Sequence, residues 1–172
     1  MGKRAAGVAL GGVLTAVSLL LLYVAALSPS GKLGVVALAG LVPAVGVISG
    51  GLAVGFACYA ATGILGVLLL PDKGCAVLYL VLLGLYPVLK SLIERLRKLV
   101  LELILKLVFF NAVLSVLVYI FSALLFPFLP QQLQNPLLIY LGGNVVFLVY
   151  DFGMSKLLTY YAIRIRPAIR KH

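Results

Sequence analysis

Acid–base, nucleophilic or metal chemistry in this 172-residue chain would have to draw on four carboxylates, one imidazole and two thiols: Asp72, Glu94, Glu102, Asp151, His172, Cys58 and Cys75. A pair of carboxylates is one route to general acid–base work, and no two of these are close in sequence. A Ser/His/Asp set needs a placed imidazole, and the single histidine is the last residue. A Cys/His metal set fails for the same reason. The glycines between Gly46 and Gly55 are not followed by the Gly-Lys-Ser/Thr of a phosphate cradle. No catalytic residue, metal ligand or cofactor is therefore expected, and the chain does not read as an enzyme. Cys58 and Cys75 stand in or beside apolar runs and read as small buried hydrophobes.

The polar residues that remain sit inside apolar sequence, where each is costly and asks for a partner. Tyr140, Asn144, Asp151 and Ser155 fall near one helix face, at steps of four, seven and four residues. Asn111, Ser115, Tyr119 and Ser122 recur at steps of four, four and three. Two such stripes should face each other or a cavity. Asp151 is the one carboxylate placed within a span, and Lys106 is the cation expected to pair with it. Lys156 is the rival, unless its long stem carries its charge to the surface. Three roles stay open for Asp151: a structural ion pair, a contact to a ligand or ion, and a neutral carboxyl. Asn111 and Asn144 read as interhelical glue or as site residues, and Tyr119 and Tyr140 as interfacial belt aromatics or as walls of a solute pocket.

The elements that must position these residues follow from composition. Hydrophobic residues make up 64% of the chain and charged ones 10%, with a mean hydropathy of +1.23. A soluble domain carries about 25% charge, and a fold this apolar has too little polar surface to face water. The apolar residues run unbroken rather than alternating, which argues against a β-barrel and reads each run as a helix whose backbone satisfies itself. Six runs are expected: about Gly7–Leu27, Leu33–Ser49, Gly51–Leu70, Cys75–Leu89, Leu103–Phe126 and Leu137–Ile163. The fold class is an all-α integral membrane protein, a six-helix bundle forming one polytopic domain over 1–172. The first run is longer than a signal-peptide core of about 7–15 residues and reads as a retained span.

The stretch Leu33–Leu70 is too long for one span of about 20 residues, and Pro43, Gly46, Gly50 and Gly51 would break it near its middle. Charge distribution is an independent check. With two crossings here, Lys3, Arg4, Lys90, Arg95, Arg97, Lys98, Lys106, Lys156 and the tail cations Arg164, Arg166, Arg170 and Lys171 share one side, and only Lys32 and Lys73 lie on the other. The positive-inside tendency then puts both termini in the cytoplasm and the chain in the cell membrane, and a re-entrant pair of half-helices over 33–70 would preserve the same parity. The net charge of +10 is spread along span ends in this way, which argues against nucleic-acid binding. No Gly or Pro interrupts the chain between Pro87 and Pro127. A continuous helix there would be about 60 Å long, twice the hydrocarbon thickness, so it must leave the membrane or bend. Around 90–102, Leu89, Leu92, Ile93, Leu96, Leu99, Val100 and Leu103 oppose Lys90, Glu94, Arg95, Arg97, Lys98 and Glu102. Glu94–Lys98 and Glu102–Lys106 stand in favourable i, i+4 order. This predicts an amphipathic cytoplasmic helix that grips lipid headgroups or docks a partner.

Small-residue steps recur in the first half: Ala5-x-x-x-Ala9, Gly7-x-x-x-Gly11, Gly12-x-x-x-Ala16 and Gly46-x-x-x-Gly50. They let helices approach closely, within the protein or against a second membrane subunit. With the six-helix topology, the Ala5/Ala9 step and the run Pro43-x-x-Gly46-x-x-x-Gly50-Gly51-x-x-x-Gly55, the chain resembles the substrate-binding S-components of energy-coupling factor (ECF) transporters. The resemblance implies a membrane-embedded subunit that binds a small-molecule solute and passes it across with a transmembrane T-component and two ATPases. It implies that Ala5 and Ala9 contact the T-component, and that a substrate pocket lies near Asn111, Ser115, Tyr119, Ser122, Tyr140 and Asn144. Cell-shape proteins of the MreD type are similar in size and topology, and they imply a scaffold rather than a carrier.

Overall fold

A computed structural model describes residues 2–96, 98–119 and 135–165. The described residues are helical with no strand. The helices are α1 (Gly2–Leu27), α2 (Lys32–Gly50), α3 (Leu52–Leu69), α4 (Lys73–Leu78), α5 (Leu85–Ile93), α6 (Leu99–Tyr119) and α7 (Pro136–Tyr160). A π turn, Tyr79–Leu83, joins α4 to α5, and a 3₁₀ turn, Glu94–Leu96, extends α5. By length and composition six helical segments can cross a membrane: Ala5–Leu27, Lys32–Gly50, Leu52–Leu69, Lys73–Leu96, Leu99–Tyr119 and Leu137–Ile163. Their outer faces carry large apolar side chains in the open: Val8, Leu20, Leu68, Leu99, Val145 and Val149 are all more than 60% exposed. Water would not tolerate apolar surface on this scale in a monomer, whereas lipid would.

Contacts divide the chain into two compact units, one formed by the residues up to Leu89 with those from Ser155 onward, the other by Lys90–Met154. In the first unit the doubtful stretch Leu33–Leu70 resolves into two helices. Pro43 does not end α2, which runs past it. The reversal falls on Gly51, whose φ of 89° is a conformation that glycine adopts without a Cβ penalty. At 1.5 Å per residue, α2 and α3 are each about 27–29 Å long, enough by length to cross a membrane. Their backbones meet at Gly46 and Gly55: a Cβ on Gly46 would lie 3.1 Å from the Gly55 Cα, and one on Gly55 would lie 2.8 Å from the Pro43 carbonyl oxygen. The glycine run is thus a helix–helix contact surface. α1 packs on both helices, with Gly7 and Gly11 against Val54 of α3, and the Ser18 hydroxyl donates to the Ala39 carbonyl of α2 at 3.0 Å.

The far end of this unit is tied by charge. Lys32, at the start of α2, lies 2.7 Å from Asp72, which caps α4 by accepting from the Gly74 N–H at 2.9 Å. Burial pushes the Asp72 carboxyl up, but the hydrogen bonds from the Lys32 ammonium and the Gly74 N–H outweigh it and hold the group below the usual carboxylate range. The π turn is closed by Gly84 N–H to the Tyr79 carbonyl at 2.7 Å. Its Leu80 carbonyl accepts from the Tyr59 hydroxyl at 2.8 Å, so a group released by the irregular turn still finds a donor. Ser49 and Tyr161, at the C-terminal ends of α2 and α7, hydrogen-bond at 2.9 Å.

Candidate functional site

In the second unit α6 and α7 run antiparallel, and a single register carries their polar residues. Ser115 meets Tyr140 at 2.6 Å. Asn111 and Asn144 exchange both amide bonds, at 2.9 and 3.0 Å. Lys106 reaches Asp151 at 3.2 Å. Between the rungs Phe110 stacks on Phe147 with ring centroids 4.3 Å apart, and Gly143 leaves room for Leu114 and Phe110. The two sequence stripes therefore face each other. Each member satisfies its neighbour, and Asn111, Ser115 and Asn144 also bond to carbonyls of their own helices one turn back.

At the end of this ladder four charges close into a ring. Asp151 holds Lys106 through Oδ2 and Lys90 through Oδ1. Glu94 Oε1 lies 3.1 Å from each of the same two ammonium nitrogens. Each ammonium group meets both carboxylates, the kind of pairing that lets ionised groups persist in an apolar interior. Exposure is uneven: the side chains of Lys90 and Lys106 are 3% and 9% exposed and Asp151 is 16%, but Glu94 is 43%.

Lys90 and Glu94 depart from the expectation. The sequence pattern put Lys90 on the polar face of a separate amphipathic helix over 90–102, with Glu94 paired to Lys98. The structure forms no such helix. α5 and its 3₁₀ turn end at Leu96, and α6 starts at Leu99, so the apolar periodicity across 89–103 belongs to two helices. Leu92, Leu96, Leu99, Val100 and Leu103 are exposed, whereas Ile93 and Lys90 are buried. The physical cause is Asp151, a carboxylate in an apolar span that takes the nearest cations as counter-ions. The spacing of Lys90 and Glu94, one turn apart, was the signal available, since it puts them on one helix face. Lys156, the rival partner for Asp151, is exposed. Tyr119 is 75% exposed, and Ser122 lies outside the described residues.

On α1 the small residues fall into two sets. Gly7, Gly11, Ser18, Leu22 and Ala25 line the inward face, with Gly11, Ser18, Leu22 and Ala25 buried. Ala5, Ala9, Gly12 and Ala16 lie within about 60° of one another at 100° per residue, roughly opposite that face, and all four are exposed. A Cβ on Gly12 would meet nothing within 4 Å.

Fold and site together define a class: an all-helical protein with the make-up of a multi-pass membrane protein. Comparison with known families, curated proteins and solved structures takes the assignment no further, because none of them matches the chain. Among the described residues no group of three or more His, Cys, Asp or Glu residues is placed to hold a metal.

Proposed function

We propose that this chain is a cell-membrane subunit with both termini in the cytoplasm, and that it is the solute-binding member of an ECF-type uptake transporter powered by partner ATPases. The observation that carries the reading is the open small-residue face of α1. Ala5, Ala9, Gly12 and Ala16 are exposed together, and in lipid such a stripe favours close approach of another helix. The same helix sets Gly7 and Gly11 against Val54 of α3. Six crossings are supported by contacts that join ends of equal parity, Lys32 with Asp72 and Ser49 with Tyr161. The cationic excess at one set of ends supports the inward orientation.

A second reading is favoured by a different observation. Asn111 with Asn144, and Ser115 with Tyr140, spend their polar groups on each other, as they would in a non-transporting scaffold or assembly protein of the MreD type. Purified full-length protein separates the two. A carrier retains a small molecule that mass spectrometry detects after denaturation, and loses it when Tyr140→Phe and Asn144→Leu are combined. A scaffold retains none, and that result would remove solute binding from the proposal.

A further inference from the structure

The ring of four charges has one removable member. Lys90 and Lys106 are buried and share Asp151. Glu94 meets the same two ammonium groups through one oxygen, from a side chain 43% exposed. The other carboxylate is held far more deeply. Around this edge stand exposed Leu92, Leu96, Leu99, Val100 and Leu103, an apolar collar beside two convergent cations.

We propose that Lys90 and Lys106 form a binding site for a phosphate group, which enters by displacing the Glu94 carboxylate. A phosphate group offers two oxygens to two ammonium donors, where the resident carboxylate offers the pair a single one. Asp151 keeps the two lysines in place while Glu94 swings out, since it reaches both from α7. The collar suits the phosphodiester of an anionic phospholipid whose acyl chains lie on those leucines; a free phosphate presents the same oxygens without the chains. This site lies on helices other than the α1 face and does not depend on the transport reading.

The test uses the full chain in mixed micelles and native mass spectrometry, counting phosphatidylglycerol retained against phosphatidylcholine. A parallel arm follows the melting temperature with inorganic phosphate against chloride at equal ionic strength. Glu94→Gln removes the competing carboxylate and should raise retention of phosphatidylglycerol by up to about fivefold, the worth of one partly exposed ion pair. It should not raise that of phosphatidylcholine, whose phosphate carries a choline cation that opposes the two lysines. Lys106→Gln combined with Glu94→Gln leaves the Lys90–Asp151 pair intact, so the protein can fold, and should bring retention down to the phosphatidylcholine level. A gain confined to the lipid arm identifies a headgroup site, and a gain with inorganic phosphate identifies a free anion; both support the site. Unchanged retention and melting in Glu94→Gln, or retention that survives the double substitution, would overturn it.

Discussion

Asp151 holds two ammonium groups at once, and this doubling sets what its loss should do. Asp151→Asn leaves Lys90 and Lys106 sharing one carboxylate in an apolar setting. Breaking a buried pair this way costs about 3 kcal/mol or more, so a large fall in melting temperature in detergent is expected. Lys156→Gln, at an exposed position, should change stability by less than about 0.5 kcal/mol. The amide rung is a smaller effect. Asn144→Leu should cost about 1 kcal/mol, the scale of interhelical hydrogen bonds in membranes. Adding Asn111→Leu should recover part of that loss, because no unpaired amide then remains. Much of this site was legible in sequence: helical spacing alone puts Asn111 and Ser115 on one stripe and Tyr140, Asn144 and Asp151 on another. Lys90 was not, because a lysine among Arg95, Arg97 and Lys98 looks like part of a solvated face. Only the fold shows that it turns inward to Asp151.

Among the elements, the glycines divide by what lies beside them. Gly55→Ala puts a Cβ 2.8 Å from the Pro43 carbonyl oxygen and 2.9 Å from the Val47 nitrogen. Backbone atoms cannot swing aside, so α2 and α3 must separate, at about 1–3 kcal/mol. Gly12→Ala meets nothing within 4 Å and, in mid-helix, should leave the protein unchanged or slightly more stable. Thermal melts of the two variants check the contrast. The Lys32–Asp72 tie makes a separate pH prediction. The Asp72 carboxyl is held below its ordinary value, so its contribution is complete above the unfolded value of about 4 and is lost as pH falls through the lower folded value. Stability should therefore drop below about pH 4, and Asp72→Asn should flatten that part of the profile while lowering stability at neutral pH. Element boundaries were mostly readable because Pro71-Asp72 and Gly50-Gly51 punctuate unbroken apolar runs. The break at Lys98 was not, since no Gly or Pro marks it; helix length in a bilayer predicted a bend or an exit without saying where.

At the scale of the whole molecule, six helices long and apolar enough to cross a membrane give the chain the make-up of a multi-pass membrane protein. Composition already carried that much, because so little charge leaves no way to face water. Function was less accessible: short small-residue steps are shared by packing inside a protein and by docking between proteins. On α1, Gly7 and Gly11 turn inward, while Ala5, Ala9, Gly12 and Ala16 are exposed. The most direct measurement is affinity purification of the tagged protein from its native membrane in mild detergent, beside an Ala5→Leu/Ala9→Leu variant, with co-purifying chains identified by mass spectrometry. A larger membrane subunit and two ATPases should accompany the wild type and be lost from the variant at unchanged expression. Recovery of cell-wall or division proteins without ATPases, or of the same chains with both proteins, would contradict it.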